Sequence, residues 1–383
     1  MRLPVDAAPL RTVQSDLCAL VEDLNDEDYR AQFHVDLSPI GWHLGHCTFI
    51  ENYWLREVVL GDDSLTKPLA HYYIPANSPK PQRGPALPPK QDLLDSVRRQ
   101  QADNLRLLSE TATQRHALLK DDYLSLFLLQ HHCQHFETIN LARHQRALGN
   151  GYVRFKPAEA LKPAPVREVF VTAPAGIYSI GGARPEAFDN ELPAHGIEHG
   201  TFDIAARPVN NAEYLRFIED DGYNARAHWT ETGWQWREQT ACQRPDHWRQ
   251  NGRGQWFGID QRGAFDLSPD APVYGVSHHE ASAFAAYAGA RLPHENEWEI
   301  ACRLGILRDV GRVWEWCGNT FYGYEGFRPF PYDEYSLPWF DGTHYSLRGG
   351  SALTRPVVKR ASFRNFYTPD KRHIFAGLRL VHS

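Results

Sequence analysis

The chain changes grammar near residue 150, and that change limits its fold more than any other feature. Before it, glycine is scarce and apolar residues recur at helical spacing. After it, Gly, Trp and Pro punctuate short apolar segments such as FVTAPAGIYSIGG, RVWEWCGN and SLRGGS. With 383 residues the chain is also too long for one ordinary core. The pattern predicts an α+β multidomain protein: a helical bundle over 1–155, a Pro-rich linker over 156–169, and an irregular domain anchored by buried aromatics over 170–383.

Four long helices are expected in the first half. They run from about 10 to 24, from Ser38 as N-cap and Pro39 as first helical residue to Gly61, from 91 to 108, and from 121 to 148, where GNG ends the last. A four-helix bundle is the economical way to pack them. The stretch HYYIPANSPKPQRGPALPPKQ, between the second and third, is too long for a tight turn, and loops of that length in compact domains tend to be functional. In the second half helices are visible only near 210–220 and 279–289, and there is no internal repeat.

The net charge of -6 and the absence of Lys/Arg-rich runs argue against nucleic acid. No uncharged apolar run reaches the ~18 residues of a membrane span. The opening MRLPVDAAPLRTVQSDLCALVEDL lacks the continuous apolar core of a secretory signal. Cysteines 18, 47, 133, 242, 302 and 317 show no CxxC spacing, which suits reduced thiols in the cytoplasm.

FLLQHHCQHFETINLARHQ, residues 127–145, carries the chemistry. On a helix His131 and His135 lie one turn apart on one side, with His132 about 100° away. Such a pair can hold a divalent metal, but helices also carry such pairs by chance, so a third ligand has to come from elsewhere. WHLGHCTFIENYW, in the second long helix, offers His43 and His46, and a bundle lets histidines of two helices face each other.

On these motifs the chain resembles a known family. Residues 10–150 look like a DinB-type bundle, with a WHLxH segment and a later H-x3-H pair. The second half looks like the formylglycine-generating-enzyme (sulfatase-modifying-factor) fold, which is C-type-lectin-like, with RLPHENEWEIA, VWEW, LRGGS and GLRL at its hallmark positions. That order, with an HxxQHxE motif, is that of the EgtB and OvoA sulfoxide synthases, non-haem iron enzymes that couple a histidine derivative to a thiol using O2. The resemblance implies Fe(II) held by His46, His131 and His135, with three positions left for substrates and O2. It selects His46 over His43 because the family ligand precedes a run like CTFIENYW. His43 and His132 then fall behind the ligands or on the surface. Glu137, out of line with His131, is expected to accept from a ligand imidazole N–H.

The resemblance also implies substrate contacts. Gln134 approaches the amino end of the histidine substrate, and Asn365 and Phe366 its carboxylate. Tyr324, in FYGYEGFRPF, is the positional match for the family's proton-donating tyrosine, with Tyr322 as runner-up. Arg83, in the Pro-rich loop, would grip the thiol substrate's carboxylate, and Tyr72 and Tyr73 would line that pocket. Tyr367 and Lys371 replace the Asp and Arg of members that use γ-glutamylcysteine, which turns the expectation away from that donor.

The implied activity is oxidative C–S bond formation between trimethylhistidine (hercynine) and a thiol, in ergothioneine-type biosynthesis, by a monomer or weak oligomer. Three other readings stand beside it. A SenA-like selenoxide synthase would join a selenosugar to hercynine in selenoneine biosynthesis. A ligand-binding module without catalysis would have little use for the three histidines. A DinB-like thiol transferase would leave the second domain without a purpose. OvoA-type action on unmethylated histidine is not expected, since no methyltransferase stretch precedes Ser383. Copper chemistry of the formylglycine-generating type is not expected either, because no cysteine follows Cys317.

Overall fold

The computed structural model describes residues 7–111, 115–152, 154–166 and 169–382. The chain forms two compact units, residues 1–146 with 184–186, and residues 147–183 with 187–383. The first is helical: α1 (Ala8–Glu22), α2 (Asp26–Arg30), α3 (Ile40–Glu51), α4 (Ala70–Tyr73), α5 (Lys80–Arg83), α6 (Lys90–Thr111) and α7 (Tyr123–Leu148). The long helices α1, α3, α6 and α7 are the four expected. α1 turns Leu10, Val13, Leu17 and Val21 to the core, the spacing of one helical face.

α3 is buried almost all round, so each polar residue on it needs an internal partner. Glu51 has three: it accepts from Gln14 Nε2 at 2.8 Å, Asn104 Nδ2 at 3.0 Å and His132 Nε2 at 2.7 Å. Beyond it the chain widens into a π-helical segment, Asn52–Val59, instead of continuing as α-helix to Gly61. Ser38 is not the N-cap: Pro39 occupies that position, and the Ser38 hydroxyl accepts from Arg83 Nη1 at 2.5 Å. The Pro-rich stretch is not an open loop either. It folds into α4, the 3₁₀ turn Pro75–Asn77 and α5, the last two with proline in their first turn, where the missing N–H costs nothing.

The stretch expected as a linker belongs to the second unit. Tyr152 and Phe155 pack with Ala147, Leu148, Phe257 and Ile259. Ala158 N–H donates to Asp266 Oδ2 at 3.0 Å and Ala164 N–H to the Ala212 carbonyl at 2.9 Å. Tyr152 and Phe155 anchor the chain just before that stretch, and the two backbone hydrogen bonds hold the stretch itself.

The second unit holds two four-stranded sheets. One runs Phe170–Ala173, Phe202–Ala205, Val381–His382, Ala290–Arg291; the other runs Asn365–Tyr367, Tyr345–Arg348, Trp314–Thr320, Ala376–Gly377. Around them lie α8 (Asn211–Glu219), α9 (Glu231–Thr240), α10 (His278–Tyr287) and α11 (Glu295–Arg303). α8 and α10 match the expected helices, while α9 and α11, of the same length, were not anticipated from the sequence. The hallmark motifs meet as buried ion pairs. Glu295 of RLPHENEWEIA takes Arg364 at 2.8 and 2.7 Å, Glu299 takes Arg348 of LRGGS at 2.7 Å, and Glu315 of VWEW takes Arg379 of GLRL at 2.7 and 2.9 Å. Gly349, at φ 93°, lets the chain pass Trp298 where a Cβ would come within 3.1 Å of the indole. Among the described residues no helix is long and apolar enough to cross a membrane.

Candidate metal centre

The first unit brings together the three histidines chosen from the sequence. A ring nitrogen from each of His46, His131 and His135 lies within 4.8 Å of the others, and the ring centroids stand 5.3, 4.9 and 4.5 Å apart. α3 supplies one and α7 the other two, four residues apart on one face. His46 Nδ1 donates to the Tyr73 carbonyl at 2.8 Å, which leaves its Nε2 lone pair for a ligand. His135 Nδ1 lies 3.0 Å from His43 Nδ1, so His43 orients it.

Burial first, then neighbouring histidine and Arg83 charges, holds all these rings neutral. His46 falls to about 4, partly restored by the Tyr73 carbonyl, while His43 falls to about 3 and His131 and His135 drop well below their ordinary value. Three neutral imidazoles on one face are a donor set that fits a divalent first-row ion such as Fe(II). Glu137 is buried on α7, but the Nδ1 partners of His46 and His135 are Tyr73 and His43 instead. Its offset along the helix turns it from the ligand face. Gln134 is half-buried, its Nε2 3.5 Å from the Gln130 carbonyl.

A stack supports His46. Trp42, one helical turn earlier, lies parallel to its ring at 4.7 Å, and the Arg83 guanidinium lies 3.9 Å above Trp42. Arg83 is buried and donates to Ser78 O at 2.9 Å, Pro75 O at 3.0 Å and Ser38 Oγ. Its Nε, Nη1 and Nη2 each donate within the chain, which weighs against its expected role as clasp for a substrate carboxylate. Tyr72 is likewise an anchor, its hydroxyl donating to the Arg83 carbonyl and its own carbonyl accepting from Trp42 Nε1. Tyr73 serves the site through its backbone, with its ring packed over Gly45.

That packing yields a prediction. A Cβ at Gly45 would clash with the Tyr73 hydroxyl and with its ring. Gly45→Ala is expected to push Tyr73 off α3 and lower metal affinity about 10-fold, the usual scale for losing a partner behind a ligand. Isothermal titration with Fe(II) or Co(II) measures it, and unchanged affinity would show that the Tyr73 carbonyl does not orient His46.

In the second unit Tyr324 is buried, its hydroxyl 3.5 Å from Arg348 Nη2 and its ring under the Arg364 guanidinium at 4.3 Å. Burial raises its pKa against the opposing pull of Arg348, so the phenol stays protonated. Tyr322 is exposed, with a smaller upward displacement. Asn365 Oδ1 accepts from Phe366 N–H at 2.9 Å, and Phe366 stacks on Phe321 at 4.3 Å. Tyr367 pairs in register with Tyr345, and Lys371 forms an ion pair with Asp370 at 3.0 Å.

Trp42 and the Tyr73 carbonyl were not read as working parts from the sequence, whereas His43 falls behind the ligands, one of the two places expected for it. The i, i+4 spacing of Trp42 and His46 was the available sign for the stack. Nothing local announces a carbonyl 27 residues away.

Comparisons with known proteins were made on this footing. Residues 10–139 match the DinB superfamily, and residues 157–312 and 303–383 match the sulfatase-modifying factor enzyme 1-like domain. The hercynine oxygenase of Mycolicibacterium thermoresistibile is 32% identical over 94% of this chain and 90% of its own length. That of Mycobacterium tuberculosis is 30% identical over 94% of each. Ergothioneine biosynthesis protein 1 of Schizosaccharomyces pombe is 26% identical over 51% of this chain and 28% of its own.

Proposed function

The chain belongs to the hercynine oxygenase family, a DinB-superfamily bundle joined to a sulfatase-modifying-factor domain, and from that premise we propose an Fe(II)- and O2-dependent enzyme that joins hercynine to a thiol. The family is one of oxidative enzymes, which sets aside the reading as a non-catalytic ligand-binding module. The reaction balances as one C–H and one S–H lost, a C–S bond and an S=O bond formed, and O2 reduced to the sulfoxide oxygen and water.

The observation that carries the reading is the convergence of His46, His131 and His135, with His46 held by the Tyr73 carbonyl and His135 oriented by His43. Fe(II) on that face would supply O2 activation and acidify an arriving thiol. The chain's own part is to keep the three rings neutral by burial, to hold the proton on Nδ1 of His46 through the Tyr73 carbonyl, and to orient His135 through His43. Tyr324 is the proposed proton donor: its O–H stays protonated while its oxygen faces the Arg348 guanidinium. Gln134, Asn365 and Phe366 remain the proposed contacts to hercynine.

A second reading of the donor is favoured by Arg83. Its commitment to Ser38, Pro75 and Ser78 removes the expected grip on a thiol carboxylate, which supports a donor bound in another way, such as a selenosugar. The test is anaerobic Fe(II) loading, then O2 with hercynine and cysteine, γ-glutamylcysteine or a selenosugar in parallel, with product mass as readout. No coupled product with any donor would end the assignment. Tyr324→Phe is expected to divert turnover from the coupled sulfoxide toward sulfinic acid; an unaltered product ratio would place the proton donor elsewhere, with Tyr322→Phe as the next variant.

A further inference from the structure

A second group of metal donors shares His131 with the three histidines and adds Cys47 and His132, which have no part in the reaction proposed above. Cys47 Sγ and one ring nitrogen each of His131 and His132 fall within 4.8 Å of one another. Cys47 is fully buried on α3, next in sequence to His46, and His132 is fully buried on α7. The Nδ1 atoms of His131 and His132 are both buried without a hydrogen-bond partner. A polar atom in that state is unusual in a folded protein and asks for a ligand.

The tautomer of His132 points the same way. Its Nε2 lies 2.7 Å from Glu51 Oε1, and Glu51 also accepts from Gln14 and Asn104. A carboxylate that gathers donors requires the proton on Nε2, which leaves the Nδ1 lone pair bare. A carboxylate behind a histidine in this way is the arrangement found around zinc-binding imidazoles.

We propose that Cys47, His131 and His132 form a distinct site for a thiophilic ion such as Zn(II), and that its occupancy competes with Fe(II) for His131. The donor chemistry separates the two positions. A thiolate with two imidazoles selects zinc or copper(I), whereas the three-imidazole face suits Fe(II). Donor atoms of a tetrahedral zinc site stand roughly 3.3–3.8 Å apart, given bonds of about 2.0–2.3 Å, so closure on an ion needs movements of about an ångström. Binding converts the Cys47 S–H to a thiolate and releases its proton. A neutral imidazole has one lone pair, and two dications on either side of one ring would repel strongly in so buried a place. The positions therefore exclude each other, and the cysteine position inhibits.

Cobalt(II) tests this on the full-length metal-free protein, because thiolate coordination to cobalt gives a near-ultraviolet charge-transfer band that imidazole ligands do not. The wild type is expected to show the band under anaerobic titration. His46→Ala should keep it, since that change removes only the three-histidine position, and Cys47→Ser should lose it. Zn(II) should depress Fe(II) uptake in the wild type and lose that effect in Cys47→Ser. No band in the wild type, or a band that survives Cys47→Ser, overturns the proposal. Because serine is nearly isosteric, circular dichroism should show Cys47→Ser folded; Cys47→Ala serves as the second variant if it is not. Failure here leaves the three-histidine reading untouched, since that fails only if His46→Ala retains Fe(II).

Discussion

Replacing His135 with alanine is expected to abolish iron retention and hercynine turnover together, with activity falling by more than about 100-fold, beyond the 10–100-fold that losing a partner behind a ligand costs. His135 is the member of the set that both of the others approach closely, at 4.9 and 4.5 Å between ring centroids. It is also supported from α3 through His43. Without it two imidazoles remain, too few to hold a labile divalent ion on one face. His43→Ala separates orientation from ligation, since it leaves all three donors and should weaken Fe(II) by only about 10-fold. Iron content after anaerobic loading and dialysis, read beside turnover, distinguishes the two. A His135→Ala protein that keeps its iron would remove His135 from the metal centre.

Glu295→Ala is expected to have the largest effect on stability, about 3–5 kcal/mol, the cost of leaving a buried charge without its partner. Glu295 takes Arg364 in a two-point contact and lies 3.4 Å from Arg348, and all three side chains are wholly buried. Arg348 would keep Glu299, but Arg364 would retain only the Asn190 carbonyl and its stacking on Phe321 and Tyr324. For a unit of this size the loss corresponds to a fall of roughly 10 °C in melting temperature. Calorimetry checks it, and a variant that melts with the wild type would mean that the network contributes nothing net.

The same carboxylate sets a pH dependence. Burial pushes the Glu295 pKa upward, but Arg364 and Arg348 together outweigh it and hold it at about 2, below the ordinary 4.5. The unfolded chain therefore binds this proton more tightly, and the contribution is complete above about pH 4.5 and lost as pH falls toward about 2. Glu295→Gln should flatten the stability curve in that window. An unchanged acid limb would assign acid unfolding to other carboxylates.

Much of this could be read from the chain alone. The helical period placed His131 and His135 on one face, a bundle of four such helices gave the reason for a histidine of another helix to meet them, and the family resemblance chose His46 over His43. Arg83 is the instructive counterexample. A lone arginine in a Pro-rich stretch reads as a ligand clasp, yet it ends buried against Trp42 with its donors spent on Ser38, Pro75 and Ser78. Those partners depend on prolines folding into short helical turns, which periodicity does not register. Glu137 shows the same limit, because spacing placed it off the ligand face but could not say that Tyr73 and His43 would partner the imidazoles.

What the sequence determined by itself was therefore everything set by local geometry: two domains of different grammar, four helices, and which histidines share a side. Only the tertiary structure decided which nitrogen of each ring is left bare, which arginines are spent on the fold, and that Cys47, His131 and His132 stand together. The reason is physical. Side-chain facing follows from the 3.6-residue turn, whereas hydrogen-bond partners are chosen by groups far along the chain, brought within about 3 Å only when the helices pack.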